Sequence, residues 1–137
     1  MLNNILAAIE ANVAQADSAV MLDIHGFISE TNDTNMFLVH DAVLLTPFAD
    51  SCLPGLTRQM VIDIAAIEGI ACREKNLSIT ELYSADEAFT TGTMGELTPI
   101  LKADGRVVGN GNPGEMTKRL QELHRVHAFA HGEPLPF

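Results

Sequence analysis

Basic side chains are scarce in this chain of 137 residues: eight lysines and arginines stand against 18 aspartates and glutamates, for a net charge of −10. A protein that tracks a phosphate backbone needs a cationic footprint, so nucleic acid is excluded as the main partner. An acidic body also has no electrostatic reason to sit on an anionic membrane. Cysteine is scarce too. Cys52 and Cys72 show neither a CxxC nor a metal-ligand spacing, which points to a reducing compartment and buried thiols. No apolar run approaches the length of a membrane span, and the N-terminus lacks a basic region followed by an apolar core. Together these features indicate a cytoplasmic protein. A nucleophile elbow is missing, so a Ser/His/Asp triad has no support. The lysines are Lys75, Lys102 and Lys118, and none lies in an apolar setting that would suit a Schiff base.

What is present is a globular composition, 47% hydrophobic and 19% charged, of a size that forms one domain. The spacing predicts a helix from Met1 to Ala11, with Leu2, Ile5, Leu6 and Ile9 on one stripe. It starts without a capping residue or lead-in, which suggests a missing upstream part. Short strands follow at Ala19–Ile24, Phe27–Thr31, Met36–Val39 and Val43–Thr46, joined by tight turns that would make an antiparallel meander or part of a barrel-like sheet. Leu53–Arg58 leads into a helix on which Leu56, Met60, Ile64 and Ile67 repeat, and Gly69 stops it. A strand at Ile70–Glu74 precedes Ser78-Ile79-Thr80-Glu81, a capping box opening a short helix that ends near Ser84. Next come a strand at Ala88–Thr91, another at Leu97–Lys102, and a hairpin turn at Asp104-Gly105 leading into Arg106–Gly109. The closing helix runs from Glu115 to Ala130, with Met116, Leu120, Leu123 and Phe129 turned inward, before a tail from Gly132 to Phe137.

Three places could carry chemistry. In the stretch Ala85–Pro99, Gly92 and Gly95 let consecutive N–H groups converge as an anion-binding nest, to which Thr91 and Thr93 add hydroxyls; the same pattern also makes a plain turn. Gly55 stands just before a helix start, leaving N–H groups free for an anion unless Thr57 caps them. Glu30 ends an apolar strand, where a carboxylate needs a donating partner or water. His124, His127 and His131 share a helix face, which reads as solvated and favourably placed near a helix C-terminus.

Glu30-Thr31-Asn32-Asp33-Thr34-Asn35-Met36-Phe37, Leu44-Leu45-Thr46 and Leu53-Pro54-Gly55-Leu56-Thr57-Arg58 resemble, in order and spacing, the signature of class IV pyridoxal-phosphate aminotransferases, among them the branched-chain and D-amino acid enzymes. Ala85–Pro99, Asp104-Gly105-Arg106 and Asn112-Pro113-Gly114 resemble later motifs of that family, although Asn32 replaces its usual small residue. The resemblance implies an α/β fold similar to the larger C-terminal domain of fold-type IV enzymes, with a mixed barrel-like sheet and flanking helices over residues 1–137. It implies pyridoxal 5′-phosphate as cofactor, amino acids and 2-oxo acids as substrates, and a homodimer. Glu30 would pair with the pyridine nitrogen; Leu56 and Thr57 would give backbone N–H groups to the phosphate. Thr93 would complete the phosphate cradle, and the backbone around Thr93 and Met94 would face the substrate carboxylate. The family's Schiff-base lysine would lie upstream of Met1, with the smaller N-terminal domain. The chain would then be a C-terminal portion, inactive alone. An aminodeoxychorismate lyase of the same family, or a non-catalytic remnant or split subunit, are the alternatives.

Overall fold

The computed structural model describes residues 2–94 and 96–131, with only the backbone of His131. Gly95, the His131 side chain and the tail from Gly132 to Phe137, all part of the expectations above, lie outside the described residues. The elements in chain order are α1 (Leu2–Val13), β1 (Val20–Leu22), β2 (Ile28–Thr31), β3 (Asn35–His40), β4 (Val43–Thr46), α2 (Leu56–Ile67) and β5 (Cys72–Glu74). They continue with α3 (Ile79–Tyr83), β6 (Glu87–Gly92), β7 (Glu96–Pro99), β8 (Lys102–Ala103), β9 (Arg106–Val107) and α4 (Glu115–His131).

A five-stranded mixed sheet in the order β5-β4-β3-β6-β7 forms the centre. All neighbours are antiparallel except β4 and β5, which run parallel through the α2 crossover. β3 is covered on both faces, which is why Met36-Phe37-Leu38-Val39 reads as an unbroken apolar run. Its Phe37 and Val39 pack under α2 and α4, with Val61, Ile64, Ala65 and Leu120. Its Met36 and Leu38 face a second cluster with Ile28, Leu77, Leu82, Ala85 and Val108. Phe37 stacks on its cross-strand neighbour Phe89, ring centroids 5.2 Å apart.

The expected four-strand meander is not formed. β1 and β2 make a separate two-stranded sheet, because the hydroxyl and carbonyl of Thr34 both turn back onto Thr31 and break the path before β3 begins. The expected strand Leu97–Lys102 is also two elements. β7 ends at Pro99, although the Ile100 N–H still reaches the Ala88 carbonyl at 2.8 Å, and Lys102–Ala103 pairs instead with Arg106–Val107 across Asp104-Gly105. Both turn residues there have positive φ, 47° and 76°, as that two-residue turn requires.

The helices depart in phase. α1 turns Asn4, Ala7, Ala8 and Ala11 toward the body, while Leu2, Ile5, Leu6 and Ile9 are exposed. Small residues let α1 lie close to β2, where the Asn4 amide reaches the carbonyl of Asn32 at 3.1 Å. On α2 the buried face is Arg58, Val61, Ile64 and Ala65, so Leu56 and Ile67 stand in solvent and only Ile64 of the expected stripe is buried. On α4 Leu120 is buried, but Phe129 is 87% exposed, because that helix outruns the sheet beneath it. The capping box of Ser78 and Glu81 is present in both directions, and Gly69 follows α2 at φ 66°.

Candidate functional site

The geometry begins at the loop between β4 and α2. Leu53 in that loop offers its N–H to Glu30 Oε2 at 3.4 Å and accepts the Asn35 Nδ2–H on its carbonyl at 2.9 Å. The other carboxylate oxygen of Glu30 lies 3.5 Å from Asn4 Nδ2. Glu30 is half-buried in β2, facing Met21 across the hairpin. Both of its donors are at the outer edge of hydrogen-bonding distance, so most of its acceptor capacity remains for a closer, charged N–H.

Two residues after Leu53 the chain enters α2. Gly55 is the N-cap, with φ −66° and ψ 141°, and no side chain caps the helix. Thr57 therefore is not the cap, and it sits inside the first turn. Among the described residues no side chain caps the first N–H groups of this twelve-residue helix, and the helix dipole adds positive potential at the same point. The Leu56 side chain is 87% exposed and has no polar atom, so any hydrogen bond this residue gives a ligand comes from its backbone. Arg58 is buried and fixes this turn. Its Nη2 donates to the Pro47 carbonyl at 2.8 Å and to the Glu74 carboxylate at the end of β5.

Thr91 comes to the same region from β6. It lies directly across from Asn35 in the sheet, and its hydroxyl is buried without a hydrogen-bond partner among the described residues. Beyond Gly92 the chain turns through Thr93 and Met94, both exposed. A Cβ at Gly92 would stand 2.8 Å from Thr34 Cγ2, so a larger residue there would force the Thr34 side chain to shift. The structure thus joins Glu30 to Leu53, sets Asn35 against both Leu53 and Gly55, and pairs the strand carrying Thr91 with Asn35. The Thr93–Met94 turn leaves from that end of β6.

Sequence reasoning missed Asn35, expected as loop and found buried at the start of β3, and Arg58, whose burial no local pattern announces. The one available signal for Asn35 was its position between a polar loop and an apolar run. The thiols are half-buried instead of buried; burial pushes both up from the ordinary cysteine value, the Glu30 carboxylate adding to the effect at Cys52. His124 is not on a solvated face. It is 8% exposed, and its Nδ1 has no hydrogen-bond partner among the described residues.

The opposite end of β6 holds a cleft of about 650 Å³ lined by Tyr83, Asp86, Glu87, Asn112 and Lys118, among others. Its polar groups are committed to structure. Glu87 accepts from Met116 and Thr117 at the start of α4, and Asp86 Oδ2 takes the Asp41 N–H at 2.8 Å. Lys75 and Lys118 are paired with Glu81 and Glu115. No helix among the described residues is long and apolar enough to cross a membrane.

Comparison with known proteins bears on the family and the fold. The family model described as amino-transferase class IV matches residues 1–103. Branched-chain-amino-acid aminotransferase-like protein 2 of Arabidopsis thaliana is 50% identical over 136 residues, which is 99% of this chain and 24% of the relative. The branched-chain-amino-acid aminotransferase of Pseudomonas aeruginosa is 42% identical over 90% of this chain and 40% of its own length. Among solved structures, the branched-chain amino acid aminotransferase from Thermobaculum terrenum in its PLP form superposes with a TM-score of 0.88 at 34% identity, covering 93% of this chain and 42% of the other. This chain therefore spans less than half of the relatives it matches, and about a quarter of the Arabidopsis one. Its α/β fold, with a mixed sheet and flanking helices, is that of these enzymes over the matched part, and the chain belongs to the amino-transferase class IV family.

Proposed function

We propose that these residues are the C-terminal, cofactor-cradling part of a pyridoxal-phosphate aminotransferase that moves an amino group between a branched-chain amino acid and a 2-oxo acid. The carrying observation is one loop with two free ends: Leu53 meets the under-coordinated Glu30 carboxylate, and two residues later α2 opens uncapped. These residues fit the cofactor's chemistry, an anion at one end and a basic ring nitrogen at the other. When bound, pyridoxal phosphate supplies an electron sink for the substrate α-carbon.

The chain's own residues would do the rest. Glu30 holds a proton on the ring nitrogen through a charge-assisted hydrogen bond. Leu56 and Thr57 give backbone N–H groups to the phosphate at the positive end of α2, and Thr93 adds a hydroxyl. The backbone of Thr93 and Met94 faces the substrate carboxylate. The amine that must carry the substrate proton would come from a lysine outside these residues, since Lys75 and Lys118 are engaged elsewhere and Lys102 is on the small β8–β9 ribbon. The apolar stripe of α1 supports a covering surface in the working enzyme, in keeping with a dimer, and the two free cysteines suit the cytoplasm.

Two measurements test this. Pyridoxamine 5′-phosphate needs no lysine to bind, so the chain should bind it at least about tenfold more tightly than pyridoxamine; equal affinity would refute the cradle. Mixed with pyridoxal phosphate and leucine, the chain should leave the cofactor unconverted. Reproducible conversion to the amine form would show that the necessary amine lies within these residues.

A further inference from the structure

We infer that Asn35 is a positioning residue for this site, one side chain that sets both ends of it at once. The inference rests on the cofactor reading above and adds a residue to it. Asn35 is buried at the first position of β3, the middle strand of the five-stranded sheet, so its amide is anchored on a strand paired on both sides. From there Nδ2 donates to the Leu53 carbonyl at 2.9 Å and lies 3.6 Å from Cys52 Sγ. The peptide groups on either side of Leu53 are thereby divided: the carbonyl is held by Asn35, and the N–H is turned toward Glu30.

The other half of the amide meets the helix start. A Cβ on Gly55 would stand 2.3 Å from Asn35 Oδ1. Gly55 has φ −66° and ψ 141°, a conformation open to any residue. Glycine is therefore needed there for the close approach of Asn35 and for no conformational reason. Only Pro54 separates Leu53 from Gly55, so a shift of Leu53 is passed to Gly55 and on to the first N–H groups of α2. Among the described residues the Asn35 side chain meets Cys52, Leu53 and Gly55, and no direct contact with the ligand is assigned to it. It acts through the loop, fixing where Glu30 finds its N–H neighbour and where α2 points.

Asn35→Ala removes the clamp, and Gly55→Ala pushes against it from the other side without disturbing the strand, which covers the case in which Asn35→Ala folds poorly. In both, the ratio of affinities for pyridoxamine 5′-phosphate over pyridoxamine should fall roughly three- to tenfold. Amide hydrogen exchange should accelerate at Leu53 and at 55–58 and stay unchanged at 37–39 and 88–89. A merely structural role would lower both affinities together and leave their ratio alone. An unchanged ratio in both variants, with the wild-type chain preferring the phosphate form, overturns the positioning role. A wild-type chain with no such preference overturns the cofactor reading instead; unaltered exchange at 55–58 in Asn35→Ala then overturns the clamp separately.

Discussion

Glu87 offers the sharpest test of how the helical layer is held on the sheet. Its carboxylate stands at the start of α4, taking the N–H groups of Met116 at 3.0 Å and Thr117 at 2.8 Å and the Thr117 hydroxyl at 2.7 Å. It is an N-cap supplied by a neighbouring strand. Losing a cap costs about 1 kcal/mol and up to about 2, and losing an anion at a helix N-terminus costs about 0.3–1 kcal/mol more. Thr117 is fully buried, so its hydroxyl would be stranded at a further cost of about 1–3 kcal/mol. These contributions overlap, and we expect about 3 kcal/mol for Glu87→Ala. Glu87→Gln keeps one acceptor and the shape, and should cost about half as much. Gly114 supplies an internal check, since a Cβ there would stand 1.9 Å from Glu87 Cδ. Gly114→Ala should destabilise the wild type yet add little to Glu87→Ala, giving a coupling of about 1 kcal/mol or more in a double-mutant cycle. Urea unfolding followed by circular dichroism gives all four free energies. A loss below about 0.5 kcal/mol for Glu87→Ala, or strict additivity with Gly114→Ala, would refute the reasoning.

Other consequences are smaller but direct. Ala42 sits in the β3–β4 turn at φ 60°, where a Cβ is costly, so Ala42→Gly should stabilise the chain by about 1 kcal/mol in the same unfolding assay. At Glu81 burial works to raise the carboxyl, but the Lys75 ammonium and the donors of Ser78 together outweigh it and hold the group below its ordinary 4.5. Its contribution is therefore present above that value and lost as pH falls through the lower folded value; Glu81→Gln should flatten stability against pH there and nowhere near neutrality. Burial pushes the Cys52 and Cys72 thiols up, so iodoacetamide under mildly alkaline conditions should react with them more slowly in the folded chain than in urea.

Local chemistry was legible in the sequence where a few neighbouring residues decide the outcome. The reciprocal bonds of Ser78 and Glu81, the Asp104-Gly105 turn and the stop at Gly69 all depend on residues within one turn of each other. The phase of the helices was not legible, because it depends on what covers them. The strongest apolar stripe of α1, Leu2–Ile5–Leu6–Ile9, faces away from the sheet, and the alanine face goes in. Arg58 is buried because Pro47 and Glu74, eleven and sixteen residues away, both meet its guanidinium. Of the site, Glu30 and the helix start after Gly55 could be picked out as unusual, but their connection through Leu53 and Asn35 is a contact across folded segments. Only the family resemblance joined them beforehand.

The central claim is that one phosphate-bearing ligand is taken at the Glu30–α2 end of the sheet. The direct measurement is the amide NMR spectrum of the ¹⁵N-labelled chain titrated with pyridoxamine 5′-phosphate. Saturable shifts at Leu56, Thr57 and Thr93, with none at Tyr83, Asn112 or Lys118, are the predicted result. Shifts confined to the cleft around Asp86 and Lys118, or no saturable shift at all, would contradict the account.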